Sequence, residues 1–382
     1  MGKARAESEH FRDKRLSEVG IMSYFYFRLL VVLFLTFSAA SGQNNAPPQL
    51  QPRPSGPAVP TPASTDRQIT LDVQVADKSG APVRGLQKQD FTVLDDKQTK
   101  PIQSFHAVDG SSSDAPVEIV LVIDAVNASF DAVTYERSEL KKFLLQNGGK
   151  LAQPVSLVVF SDNGTKMQED SSRDGNALAS LYDQYETGLR YLNRSQGVYG
   201  AAERFDMSIK TLMSLVSHEE KQPGRKLMIW FSPGWPLLSG PNIQLSSKDE
   251  REIFNSIVAA STGLRQARIT LYSIDPKGPE EAGSIRASYY EEFLKGITSA
   301  SHAWPANLGL QVLVVQSGGR VFNSSNDLTG AIANCVSDAN AFYTLSFNTD
   351  KPDHADEYHA LQIKIDKPGV TARTRTGYYA EP

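Results

Sequence analysis

Four apolar runs in the middle of this chain constrain its fold more than any other feature. They are 117–123 (VEIVLVI), 155–160 (VSLVVF), 225–232 (RKLMIWFS) and 268–274 (RITLYSI). A strand with one wet face alternates apolar and polar residues. These runs do not alternate, so both of their faces are covered. Stretches with helical spacing separate them: 131–146, with Val133, Leu140, Phe143 and Leu144 on one side, then 174–188, 200–217 and 247–266. Buried strands alternating with helices predict an α/β unit with a doubly wound, mostly parallel sheet. Ligands on such sheets bind beyond the carboxyl ends of the strands, where the winding direction reverses. Asp124, Ser161, Asp162, Ser232 and Asp275 all stand at such ends, and this clustering is the main site signal in the chain.

The flanks follow a different period. Ile69, Leu71, Val73 and Val75 alternate with polar residues, and Phe91, Val93, Ile102 and Phe105 continue the pattern. After a short helix at 310–316, a strand at 320–322 and a helix at 326–339, the alternation returns. It runs through Tyr343, Leu345 and Phe347, then Leu361, Ile363 and Ile365, and ends over 370–379. Neither flank holds enough strands to be stable alone. The two ends are therefore expected to form one β-sandwich, with units at 67–110 and 341–382 flanking an inserted α/β domain at 115–340.

The N-terminal region reads as an export signal. Arg28 precedes the apolar run LLVVLFLTF at 29–37, and the small residues SAASG follow at 38–42. Met22 is a candidate start, and cleavage is expected near Ala40 or Gly42. The apolar run is short for a bilayer span, so no stable membrane span is expected once 1–42 is removed. Residues 43–66, rich in Pro, Gln and Ser, read as an extended spacer. The expected location is secreted or periplasmic. Lys plus Arg number 39 and Asp plus Glu 43. No general basic field therefore recruits nucleic acid. Cys335 is the one cysteine, which excludes an intramolecular disulfide and a cysteine metal cluster.

With these elements in place, a resemblance emerges. The order strand–Asp, helix, strand, two helices, strand, without a phosphate-binding loop, resembles a von Willebrand factor type A domain. The segments VLVIDAVNASF, GRKLMIWFSPGWP, SGGRVF, YTLSF and KPGVTARTRTGYYA resemble a bacterial A-domain-related family common in acidobacteria, over about 67–380. That superfamily implies a metal ion-dependent adhesion site: D-x-S-x-S after the first strand, a Thr on a neighbouring loop and a further Asp. A hard dication there takes carboxylate, hydroxyl and water oxygens. Here the motif starts at Asp124 but continues with Val126 and Ala128, and Pro233 stands where the later Asp is expected. No residue is placed as the Thr; Ser195 and Thr187 are candidates. A shifted site would draw on Asp124, Asn127, Ser129 and Ser232, with Asp275 opposite, and would hold Mg²⁺ or Mn²⁺. The favoured expectation is a degenerate site without a cofactor, in which Asp124 accepts backbone donors at the head of the next helix.

None of the six histidines sits in H-E-x-x-H, and neither a G-x-S-x-G elbow nor G-x-x-x-x-G-K-[ST] occurs. The sequence therefore points to an exported, non-enzymatic interaction or adhesion module. Loops 124–131, 161–171, 190–200 and 232–246 would meet a protein ligand, with Trp235, Asp162 and Asp275 as candidate contact residues. Trp230 is expected in the core, and Cys335 as a buried small apolar residue. Two other classes remain: a metal-dependent adhesin using the shifted site, and an envelope-polymer hydrolase whose site is assembled from distant residues.

Overall fold

The computed structural model describes residues 67–108, 117–186, 197–240, 243–278 and 288–381, which fall in one unit, Asp66–Pro382. The signal and spacer assigned to 1–66 lie outside the described residues, as do Thr187 and Ser195. Among the described residues no helix is long and apolar enough to cross a membrane.

The first apolar run becomes β5 (Val117–Asp124). It is flanked by two parallel neighbours, β6 (Lys150–Ser161) and β9 (Arg225–Phe231). β10 (Ile269–Ile274) and the two-residue β11 (Val321–Phe322) extend the sheet beyond β9, also in parallel. On the far side, β7 (Gly164–Met167) and β8 (Ser172–Asp174) pair antiparallel with β6. The seven-stranded sheet thus runs β11-β10-β9-β5-β6-β7, with β8 also on β6. The chain enters at β5, steps to β6 on one side, then crosses to β9 on the other. Hence the winding reverses beside β5.

Among the described residues, six helices accompany the sheet: α1 (Phe130–Leu144), α2 (Gly175–Glu186), α3 (Gly197–Glu219), α4 (Ser247–Gln266), α5 (Leu310–Gln316) and α6 (Leu328–Asn340). Ile119, Leu121 and Ile123 of β5 join Leu140 of α1, Leu178 of α2 and Ile332 and Cys335 of α6 in one core. Val120, Val122, Met228 and Trp230 alternate with these residues and are equally buried. Both faces of the central strands are therefore covered, as their unbroken apolar runs require. Segment 310–316, whose β-branched residues also suit a strand, is a helix. The stretch 161–171, expected as an open loop, instead folds into the β7 hairpin, which gives the sheet an antiparallel edge.

The two chain ends meet in the expected sandwich. One antiparallel sheet runs β14 (Val370–Arg373), β1 (Gln68–Asp77), β12 (Phe342–Asn348), β4 (Ile102–Val108). The other runs β15 (Gly377–Tyr379), β13 (Tyr358–Ile365), β2 (Phe91–Asp95), β3 (Gln98–Lys100). Each sheet mixes N- and C-terminal strands, so neither end forms a sheet without the other. The interior holds Leu71, Val73, Phe91, Val93, Leu345, Phe347 and Tyr378.

Part-buried ion pairs fasten the sandwich to the α/β domain. Asp72 of β1 accepts two bonds from the Arg268 guanidinium, at 2.6 and 3.3 Å, and one from Thr344 Oγ1 at 2.9 Å. Asp338 of α6 accepts the Tyr272 hydroxyl at 2.7 Å and pairs with Arg373 of β14. Arg225, fully buried, lies over the Phe342 ring at 4.4 Å and donates to the Asp338 carbonyl at 2.8 Å.

Candidate functional site

The carboxyl ends of β5 and β9 meet where the winding reverses. Their register sets Val122 beside Trp230 and Ile123 beside Phe231, which brings the indole within reach of the residue that ends β5. Past that residue the backbone turns sharply. Asp124 Oδ1 accepts the N–H of Val126 at 3.0 Å and of Asn127 at 2.8 Å, the side-chain-to-backbone turn that Asp favours. Its Oδ2 accepts Asn127 Nδ2 at 2.9 Å and Trp230 Nε1 at 2.9 Å. Asn127 Nδ2 also donates to Ser208 Oγ on α3 at 2.9 Å, and the Ser232 hydroxyl faces the same carboxylate. Asp124 is fully buried. Burial pushes its carboxyl above the usual range, opposed by the Trp230 and Asn127 donors.

This arrangement does not fit Mg²⁺ or Mn²⁺. A carboxylate has about four lone-pair positions, and protein donors already engage both oxygens. Val126 and Ala128, at the two motif positions where an oxygen ligand is expected, are buried and apolar. Ser129, counted in the shifted set, caps α1: its Oγ accepts the Ala132 N–H at 3.4 Å and donates to Asp131 at 2.6 Å. Ser232 is fully buried, and its Oγ accepts the Gly234 N–H at 3.2 Å. Thus Asp124, Asn127 and Ser232 do converge, but as a hydrogen-bonded knot that engages both Asp124 oxygens and leaves the buried Asn127 Oδ1 without a hydrogen-bond partner, and Ser129 serves a helix end.

Trp235 also departs from expectation. It is 3% exposed, and its ring sits 5.0 Å from that of Trp230 in an edge-on contact. The loop is drawn inward by Gln311, which donates to the Pro233 carbonyl at 3.0 Å. Gly234 adopts a φ of +113°, and the Gln311 amide occupies the space where a Cβ would lie. Trp235 therefore plugs its own domain and cannot serve as an exposed anchor. Asp162 lies in the turn between β6 and β7. Asp275 follows β10 and accepts the Lys277 N–H at 2.9 Å, holding its own loop; burial pushes its carboxyl up.

Among the described residues, this edge exposes polar residues of the β6–β7 turn and two apolar side chains. Phe130, at the start of α1, is 65% exposed, and Val198, at the start of α3, is 64% exposed. Helix α3 leads into β9, so its first residue lies at the carboxyl edge of the sheet. Ser208 stands level with Asn127. Val198, ten residues earlier, therefore projects about 15 Å further. Beside Phe130, Asp131 pairs with Lys277, which with Ser129 holds its carboxyl down at about 2.

Sequence reasoning missed two features. The Trp230 indole as the partner of Asp124 depends on the β5–β9 register, and no local motif encodes it. Glu136 of α1 is fully buried, with both carboxyl oxygens unbonded. Burial and the Asp124 charge push it well above the usual range. Its position among Ala132, Val133 and Leu140 on the core side of α1 was the only available signal.

No protein-family model matches the chain, nor does any curated protein. Among solved structures, the pilus adhesin SpaC of Lactobacillus rhamnosus GG is similar at 11% identity over 78% of this chain, with a TM-score of 0.37. This chain spans about half of that adhesin, 49% of its length. An aerotolerance-related membrane protein of Bacteroides fragilis is 11% identical over 59% of this chain and 98% of its own, with a TM-score of 0.30. The SpRpn10 VWA domain is 13% identical over 57% of this chain and 94% of its own, with a TM-score of 0.26. The doubly wound α/β architecture beside a β-sandwich is read from the strand order and register.

Proposed function

We propose that this chain is an exported, non-enzymatic recognition module that binds a protein ligand through the carboxyl edge of its α/β sheet without a bridging metal. The observation that carries this reading is the pair of exposed apolar side chains, Phe130 and Val198, projecting from that edge. Large apolar side chains held on rigid helix ends are suited to anchor a protein contact. Closure of the Asp124 knot supports the metal-free part, because an adhesion site that bridges through a cation needs its first carboxylate free. The β-sandwich, tied on by Asp72 and Asp338, supports the domain.

The test is capture of envelope proteins by the immobilised full chain, with and without chelator. Phe130→Ser and Val198→Ser are compared with Leu145→Ser, which alters an exposed residue at the opposite end of α1. The reading expects a species retained in chelator, lost in the first two variants and kept in the third. Equal capture by all variants, or loss in chelator alone, would overturn it.

A further inference from the structure

The β-sandwich carries a second cluster, remote in sequence from Asp124. Asp95 ends β2, Asp96 opens the turn into β3, and His359 lies on β13, which pairs with β2. The Nδ1 of His359 is 3.2 Å from Asp95 Oδ1 and 3.0 Å from Asp96 Oδ2. One ligand atom from each residue lies within 4.8 Å of the others. Three ligands bound at about 2.0–2.2 Å to one cation lie about 3.0–3.4 Å apart in octahedral or tetrahedral geometry, so both imidazole-to-carboxylate distances suit a shared ion.

The surroundings are those of a prepared site. Tyr378 donates its hydroxyl to the other Asp95 oxygen at 3.0 Å, and its ring stacks on His359 at 4.9 Å and 10°. Such outer partners fix the orientation of metal-binding carboxylates and imidazoles. Asp96 is held by two backbone bonds with Ala360, each 2.9 Å. Asp95 is 3% exposed, and among the described residues no Lys or Arg pairs with either carboxylate. Two carboxylates beside a single imidazole leave a negative charge that a dication would balance. The Asp96 side chain is 51% exposed, which leaves the solvent side open for water or one further ligand.

We infer that Asp95, Asp96 and His359 form a binding site for a divalent transition-metal cation, with Zn²⁺ the best match. An imidazole with two carboxylates suits Zn²⁺ better than the all-oxygen preference of Mg²⁺ or Ca²⁺. The site joins the β2–β3 turn to β13, linking strands from the two ends of the chain. It is independent of the recognition edge.

Metal-free full-length protein is titrated with ZnCl₂ by calorimetry, and with CoCl₂ while visible absorption is followed. One Zn²⁺ per chain is expected, with a Co²⁺ ligand-field band that Zn²⁺ abolishes. Asp96→Asn weakens binding at least tenfold. That variant preserves the fold, because φ at Asp96 is +48° and Asn accepts this conformation readily. His359→Gln gives a second, independent loss, and Asp124→Asn leaves binding unchanged. Absence of saturable binding, or affinity in Asp96→Asn and His359→Gln unchanged from wild type, would show that the cluster is only a shared hydrogen bond and overturn the assignment.

Discussion

Replacing Trp230 by Phe removes the indole N–H from Asp124 while keeping an aromatic ring in the core. The structure gives the size of the effect. One 2.9 Å bond to a buried carboxylate is lost, and bonds to charged groups contribute about 1.5–3 kcal/mol. Phe is smaller than Trp by about 40 Å³, which at about 24 cal/mol per Å³ of cavity adds about 1 kcal/mol. The edge-on contact with Trp235 at 5.0 Å also weakens. The expected loss is about 3–4 kcal/mol. An unfolding entropy of about 2.1 cal/mol/K per residue gives about 0.7 kcal/mol/K for a unit of about 315 residues, so Tm falls by about 5 °C.

The pH dependence of that loss follows from the same bond. The Trp230 donor lowers the Asp124 pKa against burial, so its removal raises the folded-state value further. The variant's deficit is then largest at pH values where Asp124 is ionised and shrinks as acid protonates it. Calorimetric melts of wild type and Trp230→Phe across this range test the reasoning. A Tm change under 2 °C, or a deficit that grows toward acid, would refute it.

Other substitutions probe the remaining buried charges. Asp72→Asn leaves Arg268 and Arg225 without their carboxylate partner and should cost about 3 kcal/mol, read as a Tm about 4–5 °C lower by calorimetry. Glu219 is pushed up to about 7 by burial and by Glu118. Its folded form binds the proton more tightly than the unfolded form, so stability falls as pH rises from about 4.5 to 7; melts of Glu219→Gln should lack that slope. Glu136→Leu removes a buried carboxyl that has no bonding partner and should stabilise by about 1–2 kcal/mol at pH 8, with a gain in Tm that declines toward acid.

The architecture was legible because its signals are local. Unbroken apolar runs mark strands covered on both faces, and the return of period two after residue 341 required a sheet shared with residues 67–108. The helix at 310–316 was also readable, since Ser317-Gly318-Gly319 follows it and Gly318 has a φ of +88°, a left-handed conformation that ends helices. The site was legible only in outline. Asp124 stands where the strand ends placed it, but its partner is a tryptophan from a neighbouring strand, and strand register is not written in any short motif. Trp235 looked exposed because Gly234 and Pro236 flank it, whereas the Gln311 clamp that pulls the loop inward comes from a helix 76 residues later. Asp95, Asp96 and His359 escaped notice because β2 and β13 come from opposite ends of the chain.

The claim that the Asp124 knot is closed to metal can be tested at the indole itself. The chain has three tryptophans, so their indole N–H resonances are few, and Trp230→Phe identifies one of them. The signal should stay in place from chelator to 10 mM Mg²⁺, because the N–H remains on Asp124 Oδ2. A Mg²⁺-dependent shift that saturates, and that Asp124→Asn abolishes, would contradict the account and restore a metal-bridged site.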